Sequence, residues 1–267
     1  ISNLANMMSV AKHDILVISD SDMRVRPDYL KIIMAPFADD TVGATTCLYS
    51  GTASGGVPSK LGAMFINDWF LPSALLPTMF GPLTYCFGAT MAVRRNVLEQ
   101  MGNFDVLADY LADDYMLGQF VVEQGYRIAL APYVVENIIY ERDLTGLFQH
   151  ELRWARTIRS VQPLGYALSF ITELMPLSLI AALPLYLFTE SAILALAVVG
   201  SALAVRLALH YAVSISVPGG SMFAPWLIPA RDLVSVAVRI VSYFSSKVLW
   251  RESAFEIHAN NQLKIAK

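Results

Sequence analysis

Apolar and polar positions alternate between a helical and an extended period along the first 160 residues. Leu4, Met7, Met8 and Ala11 recur at helical spacing and predict a short helix over 3–12. The run "ILVIS" (15–19) is too short for a free-standing helix. Bounded by Asp14 and Asp20, it predicts a strand buried on both faces, as in a parallel sheet. "PDYLKIIMAPF" returns to helical spacing, with Pro27 at its start where a missing N–H does no harm. "VGATTCLY" predicts a second strand, followed by a Gly-rich loop "SGTASGG" and a helix from Lys60 to Phe70. "YCFGATMAV" reads as a strand, "RRNVLEQMGNF" as a short helix ended by Gly102, and "DDYMLGQFVVEQG" as a helix with its acids in the first turn. "YRIALAP" and "VVENIIYE" predict two further strands. Strands alternating with helices define an α/β layer architecture.

The pattern changes after residue 143. In "LTGLFQHELRWARTIRS" (144–160), Leu144, Phe148, Leu152 and Ala155 share one face, and Arg153, Arg156 and Arg159 another. That suits a helix lying in a membrane interface, or a domain-edge helix with a solvated basic face. Three long apolar stretches follow: Leu164 to Phe188, Ser191 to Val213, and Met222 to Phe244. The first two reach the ~20 residues needed to cross a bilayer. The third carries a polar stripe of Asp232, Ser235, Arg239, Ser242 and Ser246, so it reads either as a third span or as an interfacial helix. Its length and apolarity favour a span. By the positive-inside rule, Arg153, Arg156 and Arg159 place the first domain on the cytoplasmic side. Lys247, Arg251, Lys264 and Lys267 in the tail conflict with three spans, which would carry the tail to the other side.

Composition agrees with a membrane location. The 267-residue chain is 55% hydrophobic and 15% charged, against about 25% charge in soluble domains. The net charge of −3 gives no sign of a nucleic-acid partner. Cys47 and Cys86 lie in apolar surroundings and read as two buried free thiols. The start, "SNLANMMSVAKHD", has no signal-peptide pattern and reads like the middle of a domain, so an N-terminal part is expected to be missing.

Three constellations could carry chemistry. Asp20-Ser21-Asp22 follows a strand, where open α/β sheets place ligands. Two carboxylates there could hold Mg²⁺ or Mn²⁺ together with substrate phosphates, or simply form a turn. Asp113 and Asp114 open a helix, as caps or with one as a general base. Arg153 and Trp154 could offer a guanidinium for a diphosphate and an aromatic wall beside it. The apolar segment 65–83 reads as core or as a membrane-facing lip for a lipid. Two rivals stand beside these readings. One is a transporter whose ion path is marked by Glu173, Arg206, Asp232 and Arg239. The other is a metal-dependent hydrolase, for which the four scattered histidines are a poor metal set.

In order and context these motifs resemble the membrane-bound glycosyltransferases with a GT-A catalytic domain, marked by D, DxD, (E/D)D and (Q/R)xxRW. The likeness is strongest to ceramide glucosyltransferases and their bacterial relatives, including hopanoid-biosynthesis-associated glycosyltransferases. "SNLANM", "ILVISDSDM", "CFGATMAVRRNVLEQMGNF", "LADDYMLG" and "LRWARTIRS" carry it. The resemblance implies a Rossmann-like GT-A domain over 1–143, an amphipathic RW helix over 144–162, a membrane region of two to three helices over 163–250, and a tail over 251–267. It implies that Asp20 and Asp22 bind the metal and the nucleotide-sugar diphosphate. Asp114 would be the catalytic base, with Asp113 beside it. Arg153 and Trp154 would lie by the diphosphate and acceptor, and Gly88 in the loop against the sugar.

The implied activity is inverting transfer of glucose or N-acetylglucosamine from a UDP-sugar to the hydroxyl of a membrane lipid such as ceramide or a hopanoid. A processive polysaccharide synthase is the near alternative. Two departures stand out. His150 occupies the (Q/R) position, with Gln149 one place off. The family's first Asp, its nucleotide-binding strands and its N-terminal membrane helix should precede residue 1, so the segment alone is expected to be inactive.

Overall fold

The computed structural model describes residues 2–217, 224–250, 253–257 and 263–265. In chain order the first half runs α1 (Ser2–Met8), β1 (Ile15–Ser19), β2 (Met23–Arg24), α2 (Tyr29–Met34), β3 (Val42–Ala53), α3 (Val57–Phe65), α4 (Leu71–Thr78), β4 (Thr90–Arg94), α5 (Arg95–Gln100), α6 (Asp113–Glu123) and β5 (Arg127–Ile139). The five strands form one mixed sheet, in the order β1-β4-β3-β5-β2. Only β3 and β5 pair in parallel. Along β3, Ala44 and Leu48 face one side and Cys47 the other, so the sheet buries apolar residues on both faces. Val97, Leu98, Leu117 and Val121 from α5 and α6 cover one face, and Tyr29 and Ile33 from α2 cover the other. Cys47 and Cys86 are buried free thiols.

Several sequence expectations need correction. The "ILVIS" strand is not a doubly buried parallel strand: β1 is an edge strand, half exposed and antiparallel to β4. A short apolar run cannot distinguish these cases, because length and hydrophobicity are the same in both. Strand β3 continues through Ser50, Gly51 and Thr52, which read as loop. Gly51 is needed for close approach rather than for a turn. A Cβ there would stand 2.8 Å from the Ala63 Cα of α3. The Asn67 side chain bonds both the N–H and the C=O of Gly51, at 2.8 and 2.9 Å. "YRIALAP" and "VVENIIYE" are one strand, β5. Its pairing with β3 shifts register between Thr46/Leu130 and Leu48/Val134, which accommodates Pro132. The helix predicted over 60–70 starts at Val57 and runs on through a π-helical turn, Ile66–Phe70, into α4.

The second half runs α7 (Leu144–Val161), α8 (Pro163–Leu168), α9 (Leu174–Thr189), α10 (Ala192–Ser216) and α11 (Ile228–Tyr243). Three antiparallel strands follow, β6 (Lys247–Trp250), β7 (Ser253–Ile257) and β8 (Leu263–Ile265), in a tail for which no strand was expected. Among the described residues only α10 is by itself long and apolar enough to cross a membrane. Its 25 residues give about 38 Å of rise. The stretch expected as one straight span, Leu164 to Phe188, is broken: 163–172 and 174–189 meet at 63° and are long and apolar enough to cross a membrane only when taken together. The break falls at Glu173, which is buried and bonded to Arg239 at 3.3 Å.

The third expected span is not one by length and composition. Helix α11 has 16 residues and buries Asp232, Arg239 and Ser242 of its polar stripe, together with Arg231, against the protein, while Ser235 is half-buried and Ser246 lies past its end; Met222 and Phe223 lie outside the described residues. The residues read as an ion path are taken up in pairs: Arg206 with Asp232 at 2.9 Å and Arg239 with Glu173. Arg231 binds both oxygens of Glu151, at 2.5 and 2.6 Å.

Helix α7, expected to be amphipathic, packs its apolar side on the protein. Leu147 packs with Leu61, Met64 and Ile228, and Leu152 and Ala155 pack with Tyr166 and Val238. Two of its arginines bond to the segment after α11: Arg156 donates to the Lys247 carbonyl, and Arg159 to Ser245 O and Ser246 Oγ at 3.3 Å. A helix with protein on both sides shows the same sequence amphipathicity as one at a bilayer surface.

Candidate active site

Strands β1 and β2 lie on opposite edges of the sheet, so the turn that joins them, Asp20-Ser21-Asp22, crosses the sheet's end. Backbone bonds pin it at both sides. The Asp20 N–H reaches Ala89 O at 3.2 Å, and the Ile138 N–H reaches Asp22 O at 3.0 Å. The carboxylates of this turn open into a cleft of about 980 Å³ that is also lined by Gly88, Asp113, Asp114, Arg153 and Trp154. The structure therefore gathers every sequence-predicted site residue around one space, although 134 positions separate the first from the last.

The floor of the cleft is the N-terminus of α6. Asp113 accepts from the Asp114 N–H at 3.0 Å, and Asp114 from the Tyr115 N–H at 2.7 Å. Capping and a chemical role are therefore compatible here, because each carboxylate has a second oxygen. A Cβ at Gly88 would stand 2.8 Å from Asp114 Oδ2, so only glycine leaves room for this carboxylate against the loop. Gly118, one helical turn along, makes the approach possible. A Cβ there would lie 2.4 Å from Tyr85 Cα. That contact sets α6 against the segment leading to Gly88, a role that a Gly within a helical pattern does not reveal.

The electrostatics follow from crowding of acids in a partly closed space. Burial pushes the Asp114 carboxyl up to about 7, with further upward push from Asp113 and Asp20 against the backbone N–H groups of Tyr115 and Gly88. Asp20 is open to solvent in the cleft but walled by protein. That partial burial, then Asp22 and Asp113, raise it to about 6, while Arg153 pulls it down. Asp113 is raised by burial as well. Arg153 is half-buried, and burial lowers it while Asp20 draws it back up. The site thus holds excess negative charge beside one desolvated guanidinium.

Asp20 and Asp22 offer oxygen donors only, which fits a hard divalent cation. Among the described residues no group of three or more acidic, His or Cys side chains is arranged to hold a metal. The two aspartates would thus form part of a shell that substrate phosphates complete.

Residues beyond the sequence-predicted set also belong here. His150, at the position where an amide or guanidinium was expected, lines the cleft and bonds Glu141 at 2.8 Å. Its ring lies 4.2 Å from that of Trp154. Asn137 lines the same cleft, and its buried Oδ1 has no partner. Tyr49 lies beneath the carboxylates, and burial pushes its phenol well above the usual range. Neither Asn137 nor Tyr49 carries a local motif.

The apolar segment 65–83 divides between both readings made of it. Phe70 stacks on Tyr49 at 4.4 Å and Leu71 is buried, so these are core. Leu75, Leu76, Met79 and Phe80 are exposed, the last two at 78% and 83%, and form the candidate lip.

A solved structure titled "Crystal Structure of a Mycobacterial Protein" is 19% identical over 57% of this chain, with a TM-score of 0.34. The match covers 48% of that protein, so this chain spans about half its length. The family model described as glycosyl transferase family 21 matches residues 1–263, a range that holds the whole cleft and α10. The chain belongs to glycosyl transferase family 21, a family of glycosyltransferase enzymes.

Proposed function

We propose that the cleft transfers a hexose, glucose or N-acetylglucosamine, from a UDP-sugar to the hydroxyl of a membrane lipid such as ceramide or a hopanoid, with inversion. The observation that carries this reading is Asp114. It is a half-buried carboxylate raised to about 7, backed by Gly88, in a cleft shared with Asp20, Asp22, Arg153 and Trp154. A lipid hydroxyl is a weak nucleophile at neutral pH. A positioned carboxylate with a pKa near the working pH accelerates its attack by about 10²- to 10⁴-fold.

In the proposed step the Asp114 carboxylate takes the proton of the acceptor hydroxyl. The oxygen bonds to the anomeric carbon, and the bond to the diphosphate breaks with its electron pair leaving on UDP. Arg153 lies where that charge gathers, and Trp154 walls the acceptor side. A divalent ion, Mg²⁺ or Mn²⁺, bound through Asp20 and Asp22, would supply charge neutralisation for the diphosphate. With one base in the pattern and no nucleophilic carboxylate assigned, a single displacement follows.

The lipid bilayer is the natural source of the acceptor. Helices α9 and α10 form an antiparallel hairpin with Leu183, Leu187, Phe188, Ile193 and Leu196 exposed. We read this hairpin as a pair of crossings. Arg156 and Arg159 of α7 hold residues 245–247, which puts the segment after α11 beside the helix that carries Arg153 and Trp154. Two crossings then place the cleft and the basic tail together, on the cytoplasmic side by the positive-inside rule, and the conflict raised by three spans disappears. Mass spectrometry of lipids from cells expressing the full-length chain and fed labelled UDP-sugars tests the reading. A labelled glycolipid that appears with expression supports it; labelled polysaccharide or free sugar in its place would replace it.

A further inference from the structure

Asn137 lies on β5 at the cleft and is only 6% exposed, yet its buried Oδ1 has no hydrogen-bond partner. Buried polar atoms in folded proteins are nearly always bonded, because leaving one bare costs folding free energy. Asn67, the other buried asparagine among the described residues, follows that rule and spends both amide atoms on Gly51. An exception kept in a binding cleft points to a partner that arrives with the ligand.

Position and chemistry narrow the partner. Asn137 pairs with Met23 of β2 on one side and with Gly51 of β3 on the other. The next residue, Ile138, donates its N–H to Asp22 O at 3.0 Å, so the amide stands beside the Asp20–Asp22 turn. Gly51 puts no side chain next to it. Tyr49 pairs with Val135, two residues before Asn137, so Tyr49 and Asn137 share one face of the sheet. Both line the cleft. Burial, then Asp114, Asp20 and Asp22, keep the Tyr49 phenol protonated, so it offers an O–H. A diphosphate oxygen carries lone pairs only and cannot satisfy an amide oxygen. A hydroxyl can, since it donates to Oδ1 and still accepts from a neighbouring N–H or O–H. We infer that Asn137 hydrogen-bonds a hydroxyl of the transferred sugar, with Tyr49 beside it, and so helps to choose which sugar is transferred. This rests on the reading of the cleft as a sugar-transfer site. It adds a specificity-determining residue that Asp20, Asp22, Asp114, Arg153 and Trp154 do not supply.

The test compares the affinities of UDP, UDP-glucose and UDP-N-acetylglucosamine for the full-length chain in nanodiscs with Mg²⁺. Asn137→Leu nearly keeps the volume and removes both polar atoms. Affinity for the better UDP-sugar is expected to fall about tenfold, the worth of one hydrogen bond in a closed site, with UDP affinity within threefold of wild type. The unfolding temperature without ligand is expected to match or exceed that of wild type, because Oδ1 bonds nothing in the folded chain. Monodeoxy forms of that UDP-sugar identify the hydroxyl. One of them should bind wild type about tenfold more weakly than the parent sugar, and the variant should bind the two alike. Equal losses of UDP and UDP-sugar would move Asn137 to the diphosphate or its metal and overturn the inference. So would unchanged UDP-sugar affinity, or a variant that discriminates every monodeoxy form as wild type does. A lowered unfolding temperature with loss of both ligands would also overturn it, by making the amide structural. A wild type that binds neither UDP nor UDP-sugar would sink the reading of the cleft itself, and the inference with it.

Discussion

Gly88 and Asp114 meet so closely that a single added methyl group would stand 2.8 Å from the Asp114 Oδ2. The loop and the helix are therefore fitted to each other at the carboxylate assigned as base. Gly88→Ala should displace that oxygen. A misplacement of about 1 Å costs on the order of 10²-fold in rate, so kcat should fall by about that factor while UDP affinity changes less than threefold. Steady-state kinetics with a lipid acceptor checks it, and an unchanged kcat would detach Gly88 from the geometry of the base.

The raised carboxyl of Asp114 also sets a pH dependence of stability. Its folded pKa, about 7, lies above the ordinary 3.8. The folded chain therefore holds this proton more tightly than the unfolded chain, and stability falls as pH rises between those values. Asp114→Asn removes the penalty. At pH 7.5 the variant should be more stable than wild type by on the order of 2 kcal/mol, a gain that fades toward pH 4. Thermal unfolding across this range measures it. A variant less stable at pH 7.5 would show that the carboxylate is well solvated or paired.

Metal dependence should reside in the turn between β1 and β2. Asp22→Ala should abolish the part of UDP binding that requires Mg²⁺ or Mn²⁺. Calorimetry with and without the ion reads this directly. Intact metal-dependent binding in the variant would count against the two-aspartate assignment.

The exposed side of α4 and the turn after it should matter to lipid and not to nucleotide. Leu76, Met79 and Phe80 are exposed, while Leu71 and Ala74 of the same segment are core. Replacing Leu76, Met79 and Phe80 with Ser should raise the apparent KM for a membrane lipid about tenfold and leave UDP binding and Tm near wild type. Each residue removed from the bilayer forfeits about 1.5–3 kcal/mol of apolar burial at most. Equal effects on nucleotide and lipid would make this face structural.

The site was more legible in the sequence than the membrane region was. Asp20, Asp22, Asp114, Arg153 and Trp154 stand in short motifs whose order is specific, and they converge on one cleft. Asn137 and Tyr49 were not legible, because a strand residue facing a site looks like any other strand residue. Gly118 was hidden for a related reason: its close approach to Tyr85 is a tertiary fact. The strand "ILVIS" was found but misplaced, since apolarity does not tell edge from centre. The misreading of α11 as a span has a physical source. Hydropathy and amphipathicity report that a face avoids water and not whether lipid or protein covers it. Only the packing pairs Arg231 with Glu151 and Arg206 with Asp232.

The central claim is that Asp114 takes the acceptor's proton in a cleft that binds the donor elsewhere. The direct measurement is the transfer rate of Asp114→Asn in the full-length chain, with labelled UDP-sugar and membrane lipid, beside its UDP affinity. The account predicts a loss of about 10²-fold or more in transfer, with UDP affinity within threefold of wild type. Turnover like wild type at saturating donor and lipid would contradict it.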